Sequence, residues 1–352
     1  MSTTPVELPI GMAGLQYPIT QISLAVKDLD GLMARYHRAF GWAPWQVFDH
    51  LPPIHHNTEL RGEKVRYSLR GAEVYVGRMN FELLQPLEGP NLWSEFMAKR
   101  GEGIASIATM FHERADGDAA KKAFMDEFGI PVSKKADIGD HIEYYYLDTE
   151  KDFGCLIESG SGHAIDFVRP AKVYPHEGAA QIPAPASGVS FPEVTQVSVV
   201  VRDLETKMKN YHRAFGWGPW KVFESDGRDI MHHCTRSGKS VDYFKLRWAE
   251  VQLGDGINFE LLEPQGGDSP WQEMLDTKGE GIGSIAVMFK KVEESERVKA
   301  AFAADGIGIH SSGRIGEHIE WYYLDTEPGF TILIESGSGH AIDFMEPAFV
   351  YP

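Results

Sequence analysis

The chain has 352 residues, with 34 Lys and Arg against 51 Asp and Glu, which gives a formal charge of −17. This balance argues against a nucleic-acid or anionic-membrane partner, because clustered cationic side chains bind phosphate groups. The composition, 43% hydrophobic and 24% charged, is typical of a globular protein with a sizeable core. No apolar run approaches the roughly 20 residues that cross a bilayer. Met1–Pro18 also lacks the pattern of a signal peptide, so we expect a cytoplasmic protein.

The sequence repeats itself over nearly its whole length. TQISLAVKDLDGLMARYHRAFGWAPWQVF, from Thr20, returns as TQVSVVVRDLETKMKNYHRAFGWGPWKVF from Thr195, and ESGSGHAIDF occurs twice unchanged. The Pro- and Ala-rich stretch between the copies is typical of an exposed linker. The repeat predicts a first domain at 18–174, a linker at 175–192 and a second domain at 193–352.

Within each copy, the predicted elements follow a repeating order. In the first copy, TQISLAV predicts a strand, Asp28 an N-cap, and LDGLMARYHRAF a helix that ends at Gly41. Strand-like stretches follow at 66–69, 73–76 and 80–84. The order then recurs as a strand at 104–111, a helix through AAKKAFMDEFG, and strands near 141–147, 154–158 and 164–167. Each domain is therefore predicted to contain two βαβββ modules, which makes four in the chain.

This order resembles the vicinal oxygen chelate superfamily, which has the glyoxalase and methylmalonyl-CoA epimerase fold. The motifs that carry the resemblance are ELL-P at the end of one module, GEGI-S-IA at the start of the next, and LIE near its end. It covers almost the entire chain outside the N-terminal segment and the linker. The resemblance implies an α+β fold with two glyoxalase-like domains, each a curved, mixed sheet around a cavity.

The resemblance also implies a set of metal ligands on four strands of each copy. The matching positions are Gln21, Glu82, Ser106 and Glu158 in the first copy, and Gln196, Glu260, Ser284 and Glu335 in the second. Both serines occupy a position that is normally histidine in the family. The remaining oxygen ligands suit Mg²⁺ or Mn²⁺ better than Zn²⁺ or Fe. We therefore predict a divalent metal on the Gln and Glu residues, with the serines near substrate or metal-bound water, and no nucleotide cofactor.

A metal-free site is the alternative that the same residues leave open. Two carboxylates in one cavity cannot both ionise at low cost, so one of them should have a raised pKa and share a proton. Glu82 with Glu158, and Glu260 with Glu335, would then form general acid and base pairs.

A second candidate set lies in the motif HIEYYY, which returns as HIEWYY. Strand alternation puts His141, Glu143 and Tyr145 on one face and the aromatic row of Tyr144 and Tyr146 on the other. The polar row of the second copy is His318, Glu320 and Tyr322. Either this polar row lines the cavity and supplies proton donors, or it forms the outer face of the sheet with the aromatic row as core.

Other aromatic and histidine residues have two interpretations each. The tryptophans of GWAPW and GWGPW either pack in the core or form the wall of a pocket for an aromatic substrate. They are Trp42, Trp45, Trp217 and Trp220. The pairs His55-His56 and His232-His233 lie in predicted polar loops, from which one member of each could replace the missing ligand. His163 and His340 are expected to shape a turn.

The resemblance implies an isomerase, epimerase or lyase that abstracts a proton beside a carbonyl and stabilises an enolate. Glu158 and Glu335 would be the bases, and His141 and His318 would return the proton. A non-catalytic binding protein of the resistance type is the second hypothesis. A ring-cleavage dioxygenase is the third hypothesis. It ranks last because its iron needs two histidines and a carboxylate, and the predicted ligand positions contain no histidine. The expected partner is a small-molecule substrate, and the chain is a monomeric pseudo-dimer or a homodimer, with sites within or between domains.

Overall fold

The computed structural model describes residues 18–111, 113–176, 191–254 and 256–352. The strands of the first half are β1 (Gln21–Ala25), β2 (Trp45–His50), β3 (His55–Leu60), β4 (Glu63–Lys64), β5 (Ser68–Val76), β6 (Met79–Glu88), β7 (Gly103–Met110), β8 (Val132–Ile138), β9 (Ile142–Leu147), β10 (Leu156–Gly160) and β11 (Lys172–Tyr174). Its helices are α1 (Leu29–Phe40), α2 (Leu92–Arg100), α3 (Arg114–Phe128), α4 (Glu150–Phe153) and α5 (Ala164–Phe167).

The second half repeats this series. Its strands are β12 (Gln196–Val200), β13 (Trp220–Ser225), β14 (Met231–Arg236), β15 (Lys239–Ser240), β16 (Phe244–Gln252), β17 (Asn258–Gly267), β18 (Gly281–Phe289), β19 (Ile309–Ile315), β20 (Ile319–Leu324), β21 (Leu333–Ser338) and β22 (Phe349–Tyr351). Its helices are α6 (Leu204–Phe215), α7 (Pro270–Thr277), α8 (Val292–Ala304), α9 (Glu327–Phe330) and α10 (Ala341–Phe344).

Each half forms one curved, mixed sheet, which confirms the predicted fold class. The first sheet has the order β11-β2-β5-β6-β1-β7-β10-β9-β8-β3-β4, and the second has the equivalent order. At the centre, β1 lies antiparallel to β7, while β6 and β10 flank them in parallel. The two modules of one half therefore meet strand to strand, and the predicted ligand positions lie on four adjacent strands.

Helix α1 shows how the repeated sequence sets these elements. The Asp28 side chain accepts a hydrogen bond from the Gly31 amide at 3.0 Å, and the helix ends at Gly41, whose φ of 75° is left-handed. Between these residues, leucine, methionine and aromatic side chains at helical spacing are buried. Asp203 caps α6 in the same way, so both helices begin and end as the sequence predicts.

Replacing Asp28 with alanine is expected to lower the free energy of unfolding by about 1 kcal/mol, because an N-cap acceptor is lost. Urea denaturation of Asp28→Ala and of the matched Asp203→Ala measures this loss. Asp28→Asn keeps an acceptor and should lose much less. Equal losses in the alanine and asparagine variants would show that the cap is not the cause.

One hydrophobic core joins the two halves through the helices. The Phe40 ring of α1 lies 5.2 Å from that of Phe330 in α9, and Tyr36 donates to the Phe330 carbonyl at 3.0 Å. The equivalent contact is made by Tyr211, which donates to the Phe153 carbonyl at 3.0 Å. Each sheet also has a separate apolar cluster on its other face. The chain is therefore a pseudo-dimer of two like halves.

The fold differs from the sequence prediction in two respects. Residues 164–167, predicted as a strand, form the short helix α5 instead, because the Glu73 carboxylate accepts the Ile165 amide at 3.1 Å. Strands β3, β8 and β11 were not predicted, because HHNTEL and VSKKADI are polar and KVY is short. In the part of the chain described, none of the helices combines the length and apolar character needed to span a bilayer.

Candidate active site

Three of the four predicted positions meet in one cavity of each half. Gln21, Glu82 and Glu158 line the cavity on the concave face of the first sheet. Their equivalents Gln196, Glu260 and Glu335 line the cavity of the second sheet. All six side chains are at least 92% buried. Each of these two cavities is thus lined by residues of one half of the chain.

In the first cavity a serine hydroxyl lies between the two carboxylates, and in the second the Gln196 amide contacts both. Ser23 pairs with Glu82 across β1 and β6, and its Oγ donates to Glu82 Oε2 at 2.6 Å. Glu158 Oε2 lies 3.5 Å from the same Oγ and accepts the Tyr146 hydroxyl at 2.6 Å. In the second cavity, Ser198 Oγ donates to Glu260 Oε2 at 2.7 Å. We call each glutamate pair, Glu82 with Glu158 and Glu260 with Glu335, the acidic floor of its cavity.

Burial raises the pKa of every carboxyl in the acidic floors. In the first cavity, burial raises the pKa of Glu158 to about 7 despite the hydrogen bond from Tyr146. Burial and the charge of Glu158 raise the pKa of Glu82 further, well above its ordinary value. Burial raises the pKa of Glu335 to about 8, and that of Glu260 is again well above its ordinary value. Each floor therefore retains a proton near neutral pH, on Glu82 and Glu260 first.

Histidine and asparagine side chains fix the orientation of the glutamine amides. His163 Nδ1 lies 2.8 Å from Gln21 Oε1, and His340 Nδ1 lies 2.8 Å from Gln196 Oε1. Asn258 also donates to Gln196 Oε1 at 2.8 Å. The amide nitrogen of Gln196 consequently points at the floor and donates to Glu260 at 3.1 Å and to Glu335 at 3.2 Å. His163 and His340, expected only to shape a turn, in fact contact the site.

In the second cavity, this donor set does not fit a divalent metal bound through Gln196. A ligand must present a lone pair, but the Gln196 oxygen is occupied by two donors and its NH₂ group faces the carboxylates. Turning the amide over would bring its NH₂ group against that of Asn258, which also donates to Glu250 at 3.1 Å. Within the described ranges, no three His, Cys, Asp or Glu side chains are placed to hold an ion. The arrangement fits carboxylates that share protons.

Aromatic residues that the sequence did not assign to the site form the walls of the cavities. Trp93, Tyr144 and Tyr146 line the first cavity, and Trp271, Trp321 and Tyr323 line the second. Trp93 and Trp271 lie at the start of equivalent helices, in NLWSEFM and SPWQEML. The recurrence of a tryptophan at this position was the sequence signal that could have identified them. These rings suit a hydrophobic or aromatic ligand.

The polar row of HIEYYY does not line the cavity, so that predicted placement is wrong. Glu143 accepts hydrogen bonds from Lys121 of α3 at 3.0 Å, and Tyr145 donates to the Gly117 carbonyl at 3.0 Å. Glu320 and Tyr322 contact α8 in the same manner. His141 and His318 are exposed just before their strands. The alternation itself is confirmed, but a helix covers the polar face and the aromatic face forms the cavity wall.

The tryptophans of GWAPW and GWGPW pack in the shared core, so their predicted substrate-binding role is wrong. Trp42 stacks on Tyr36 with ring centroids 5.1 Å apart, and Trp217 stacks on Tyr211 at 5.2 Å. Trp45 and Trp220 are fully buried in the same cluster. These four indoles lie on the face of the sheets opposite the cavities.

Ser106 and Ser284 also fall outside the cavity linings. Ser106 lies opposite Ser23 across β1 and β7, and it is fully buried. The predicted contact of these serines with substrate is therefore not made.

A comparison with protein families matches the second copy of the repeat. Residues 195–323 match the model described as Glyoxalase/Bleomycin resistance protein/Dioxygenase superfamily. The first copy has the same strand order. A search of curated proteins gives no match.

Three solved structures match the chain at low sequence identity. A triple mutant of 4-hydroxymandelate synthase from Streptomyces coelicolor is 15% identical with a TM-score of 0.54, and the match covers 92% of each chain. The Mn(II)-bound glyoxalase from Novosphingobium aromaticivorans is 16% identical with a TM-score of 0.47, over 92% of this chain and 82% of that one. BphC, a halotolerant catechol dioxygenase, is 13% identical with a TM-score of 0.47, over 92% and 87%. The first of these likenesses shows the fold.

Proposed function

We propose that this chain, a tandemly duplicated member of the glyoxalase/bleomycin resistance/dioxygenase superfamily, is an isomerase, epimerase or lyase. It removes a proton beside the carbonyl group of a hydrophobic or aromatic compound and stabilises the enolate. The observation that carries the proposal is the acidic floor, in which Ser23 bridges two buried carboxylates beneath aromatic walls. A base with a pKa near neutral suits proton abstraction at physiological pH.

The two carboxylates of a floor take different roles because their pKa values differ. Glu158, with a pKa of about 7, is ionised in a large fraction of molecules at neutral pH and acts as the base. Glu82 keeps its proton and donates a hydrogen bond to the carbonyl oxygen as negative charge develops there. Glu335 and Glu260 take the same roles in the second cavity.

The return of the proton is assigned to the floor and not to His141 and His318. Both histidines are exposed, whereas the conjugate acid of Glu158 already lies in the cavity. In an isomerase or epimerase, the protonated Glu158 or Glu82 can return a proton to the enolate from the side it faces. The Tyr146 hydroxyl, 2.6 Å from Glu158, holds the base in position.

The predicted divalent metal is kept as a separate, testable part of the proposal. Mg²⁺ or Mn²⁺ would act as a Lewis acid on the substrate oxygen. Because the orientation of the Gln196 amide does not fit such an ion, the paired carboxylates carry the proposed steps without it. Metal analysis of protein purified without chelator, with proton exchange measured before and after chelation, tests this directly.

A binding protein without catalytic activity is the second candidate, and the aromatic walls favour it. Trp93 and Trp271 offer flat apolar contacts that need no chemistry. Saturable binding of aromatic carbonyl compounds without proton exchange would support this function in place of the enzyme. Oxygen consumption by an iron-loaded sample with a catechol would support the third hypothesis, a dioxygenase.

The rate of proton exchange is expected to rise with pH through about 7 and again through about 8. Only the ionised base accepts a proton, and the pKa values of Glu158 and Glu335 are raised to about 7 and about 8. Exchange measured in deuterated buffers across this range checks the profile. Glu158→Gln should leave only the later rise, and a flat profile would contradict the assignment of the bases.

A further inference from the structure

Each cavity contains a third buried carboxylate that the sequence did not assign to the site. Glu73 of β5 and Glu250 of β16 recur in GAEVYV and WAEVQL, and they are 1% and 3% exposed. They line the two cavities, and each lies opposite one member of the acidic floor, Glu82 or Glu260, on the neighbouring strand. A buried carboxylate is costly unless hydrogen bonds compensate for the lost water, so its partners indicate its role.

Glu250 is surrounded by hydrogen-bond donors. Its Oε1 accepts the Trp248 indole N–H at 3.0 Å, and its Oε2 accepts the Ile342 backbone amide at 3.0 Å. Oε2 also accepts Nδ2 of Asn258 at 3.1 Å. The indole and the backbone amide can only donate, so Glu250 is the acceptor for all three groups. Asn258 consequently turns its NH₂ group toward this carboxylate.

Asn258 keeps this orientation although its own oxygen gains no partner. The residue is fully buried, and its Oδ1 atom makes no hydrogen bond to any described residue. In the first half, Asn80 donates to Glu73 at 2.7 Å, and the Asn80 Oδ1 atom is likewise unpartnered among the described residues. A buried acceptor without a partner costs free energy, but turning the amide over would place that oxygen against a carboxylate. In both halves, the glutamate therefore determines which way the asparagine amide points.

The orientation passes from Asn258 to Gln196, which lies opposite it in the pairing of β12 with β17. Asn258 Nδ2 donates to Gln196 Oε1 at 2.8 Å. The NH₂ group of Gln196 then donates to Glu260 at 3.1 Å and to Glu335 at 3.2 Å. Turning Gln196 over would bring two NH₂ groups together and set its oxygen against the two carboxylates. Gln196 therefore remains a donor to the acidic floor as long as Glu250 holds Asn258.

The first half has the same glutamate and asparagine but a different connection to its glutamine. Asn80 makes no hydrogen bond to Gln21 in the part of the chain that the structure describes, and Gln21 Oε1 lies 2.8 Å from His163 Nδ1. Only the second cavity has a direct chain of hydrogen bonds from the glutamate through the asparagine to the glutamine. This difference provides a matched control within one molecule.

We propose that Glu250 and Asn258 are positioning residues that prevent the second cavity from binding a divalent metal ion through Gln196. Such an ion needs a lone pair from the glutamine, and the chain from Glu250 presents an NH₂ group to the floor instead. Glu260 and Glu335 are held by hydrogen bonds from this amide in place of a cation. The inference concerns the orientation of one amide and does not depend on the reaction proposed above.

Exchanging the carboxylate and the amide between these two positions tests the proposal. Glu250→Gln combined with Asn258→Asp keeps the net charge and the sizes of both side chains, but residue 258 becomes an acceptor. The Gln196 amide should then turn over to donate to residue 258, and its oxygen should face the floor. Partners that orient metal ligands usually change metal affinity by about 10- to 100-fold. The exchanged chain is therefore expected to bind one more Mn²⁺ than the wild type, at least about tenfold more tightly than the wild-type cavity does.

The measurement is titration of chelator-treated protein with Mn²⁺, with the free ion followed by electron paramagnetic resonance. Adding Glu260→Gln to the exchanged chain should abolish the additional site, which places that site on the floor. Glu73→Gln combined with Asn80→Asp is the matched control and should add no Mn²⁺, because Asn80 does not contact Gln21. An equal gain in this control would overturn the proposal. A folded exchanged chain that binds no more Mn²⁺ than the wild type would also overturn it.

A crystal structure of the wild-type chain soaked in Mn²⁺ needs no variant and applies even if the exchanged chain does not fold. No ion is expected among Gln196, Glu260 and Glu335, and Gln196 Oε1 should stay within hydrogen-bond distance of Asn258 Nδ2. An ion coordinated by the Gln196 oxygen and the two carboxylates would overturn the proposal.

Discussion

Replacing Glu158 and Glu335 together with glutamine is expected to lower the rate of proton exchange by about 10²- to 10⁴-fold, the usual contribution of a general base. Glutamine keeps the size and hydrogen-bonding capacity of the side chain but cannot accept the substrate proton. Both carboxylates lie in acidic floors with pKa values of about 7 and about 8. The measurement is deuterium incorporation into an aromatic carbonyl substrate, with each single variant compared with the double variant.

Glu143→Gln combined with Glu320→Gln is the matched control for this experiment. These glutamates belong to the strands beside β10 and β21, but they contact Lys121 and Lys299 on the opposite face of the sheets. Their replacement should leave exchange nearly unchanged. If the control lost as much activity as Glu158→Gln with Glu335→Gln, the polar row would be part of the site after all. Full activity in the floor variant would contradict the base assignment.

Replacing Trp42 with alanine is expected to lower the free energy of unfolding by about 3 to 5 kcal/mol, the usual cost of truncating a large core aromatic residue. The indole stacks on Tyr36, lies 4.8 Å from Phe81 and donates from Nε1 to the Phe191 carbonyl at 2.9 Å. Tyr36 and Phe81 belong to the first half, while Phe191 packs on Phe302 of the second half at 5.3 Å, so the loss affects the core that the two halves share. Denaturant unfolding of Trp42→Ala and of the equivalent Trp217→Ala measures the effect.

Trp93→Phe is the corresponding variant of a cavity tryptophan. It should change stability much less than Trp42→Ala but weaken the binding of an aromatic ligand to the first cavity. Trp42→Phe, which keeps an aromatic ring in the core, should lose less stability than the alanine variant. Weaker ligand binding with unchanged stability in Trp42→Ala would contradict the core placement and restore the tryptophans of GWAPW as a pocket wall.

The resemblance to the vicinal oxygen chelate superfamily predicted the residues of the acidic floor, and the repeat preserves them in register. Glu82 and Glu158 recur as Glu260 and Glu335 in strands whose apolar neighbours mark them as buried. A carboxylate that recurs at the same buried strand position in both copies indicates a functional site, because burial of an unpaired charge is costly. The resemblance also identified Gln21 and Gln196, which the structure places in the cavities.

Alternation in HIEYYY separated the two faces of β9. It did not show which face a helix covers and which face lines the cavity. Glu143 and Tyr145 contact α3. This helix reaches them only in the folded chain, where it packs on the sheet. The cavity-facing position of Tyr146 depends equally on the curvature of the sheet. Local sequence contains neither piece of information, so the polar row was placed on the wrong side.

The burial of Lys134 and the contact of His163 with Gln21 could not be predicted from local sequence. Lys134 stands in VSKKADI, where two adjacent lysines are typical of a solvated strand edge. Its burial results from the pairing of β8 with β3 and β9, which closes the end of the sheet. His163 reaches Gln21 across 142 residues of sequence. Such contacts follow from topology, and only the structure reveals them.

Deuterium exchange by chelator-treated protein tests the central claim most directly. The substrates are aromatic ketones, aldehydes and thioesters with a hydrogen beside the carbonyl, and loss of that hydrogen is followed by proton NMR in deuterated buffer. The wild-type chain is expected to catalyse exchange after chelation, and the Glu158→Gln, Glu335→Gln variant is expected to lose it. Exchange that disappears on chelation and returns with Mg²⁺ or Mn²⁺, or exchange that survives in the variant, would contradict a reaction carried by the paired carboxylates.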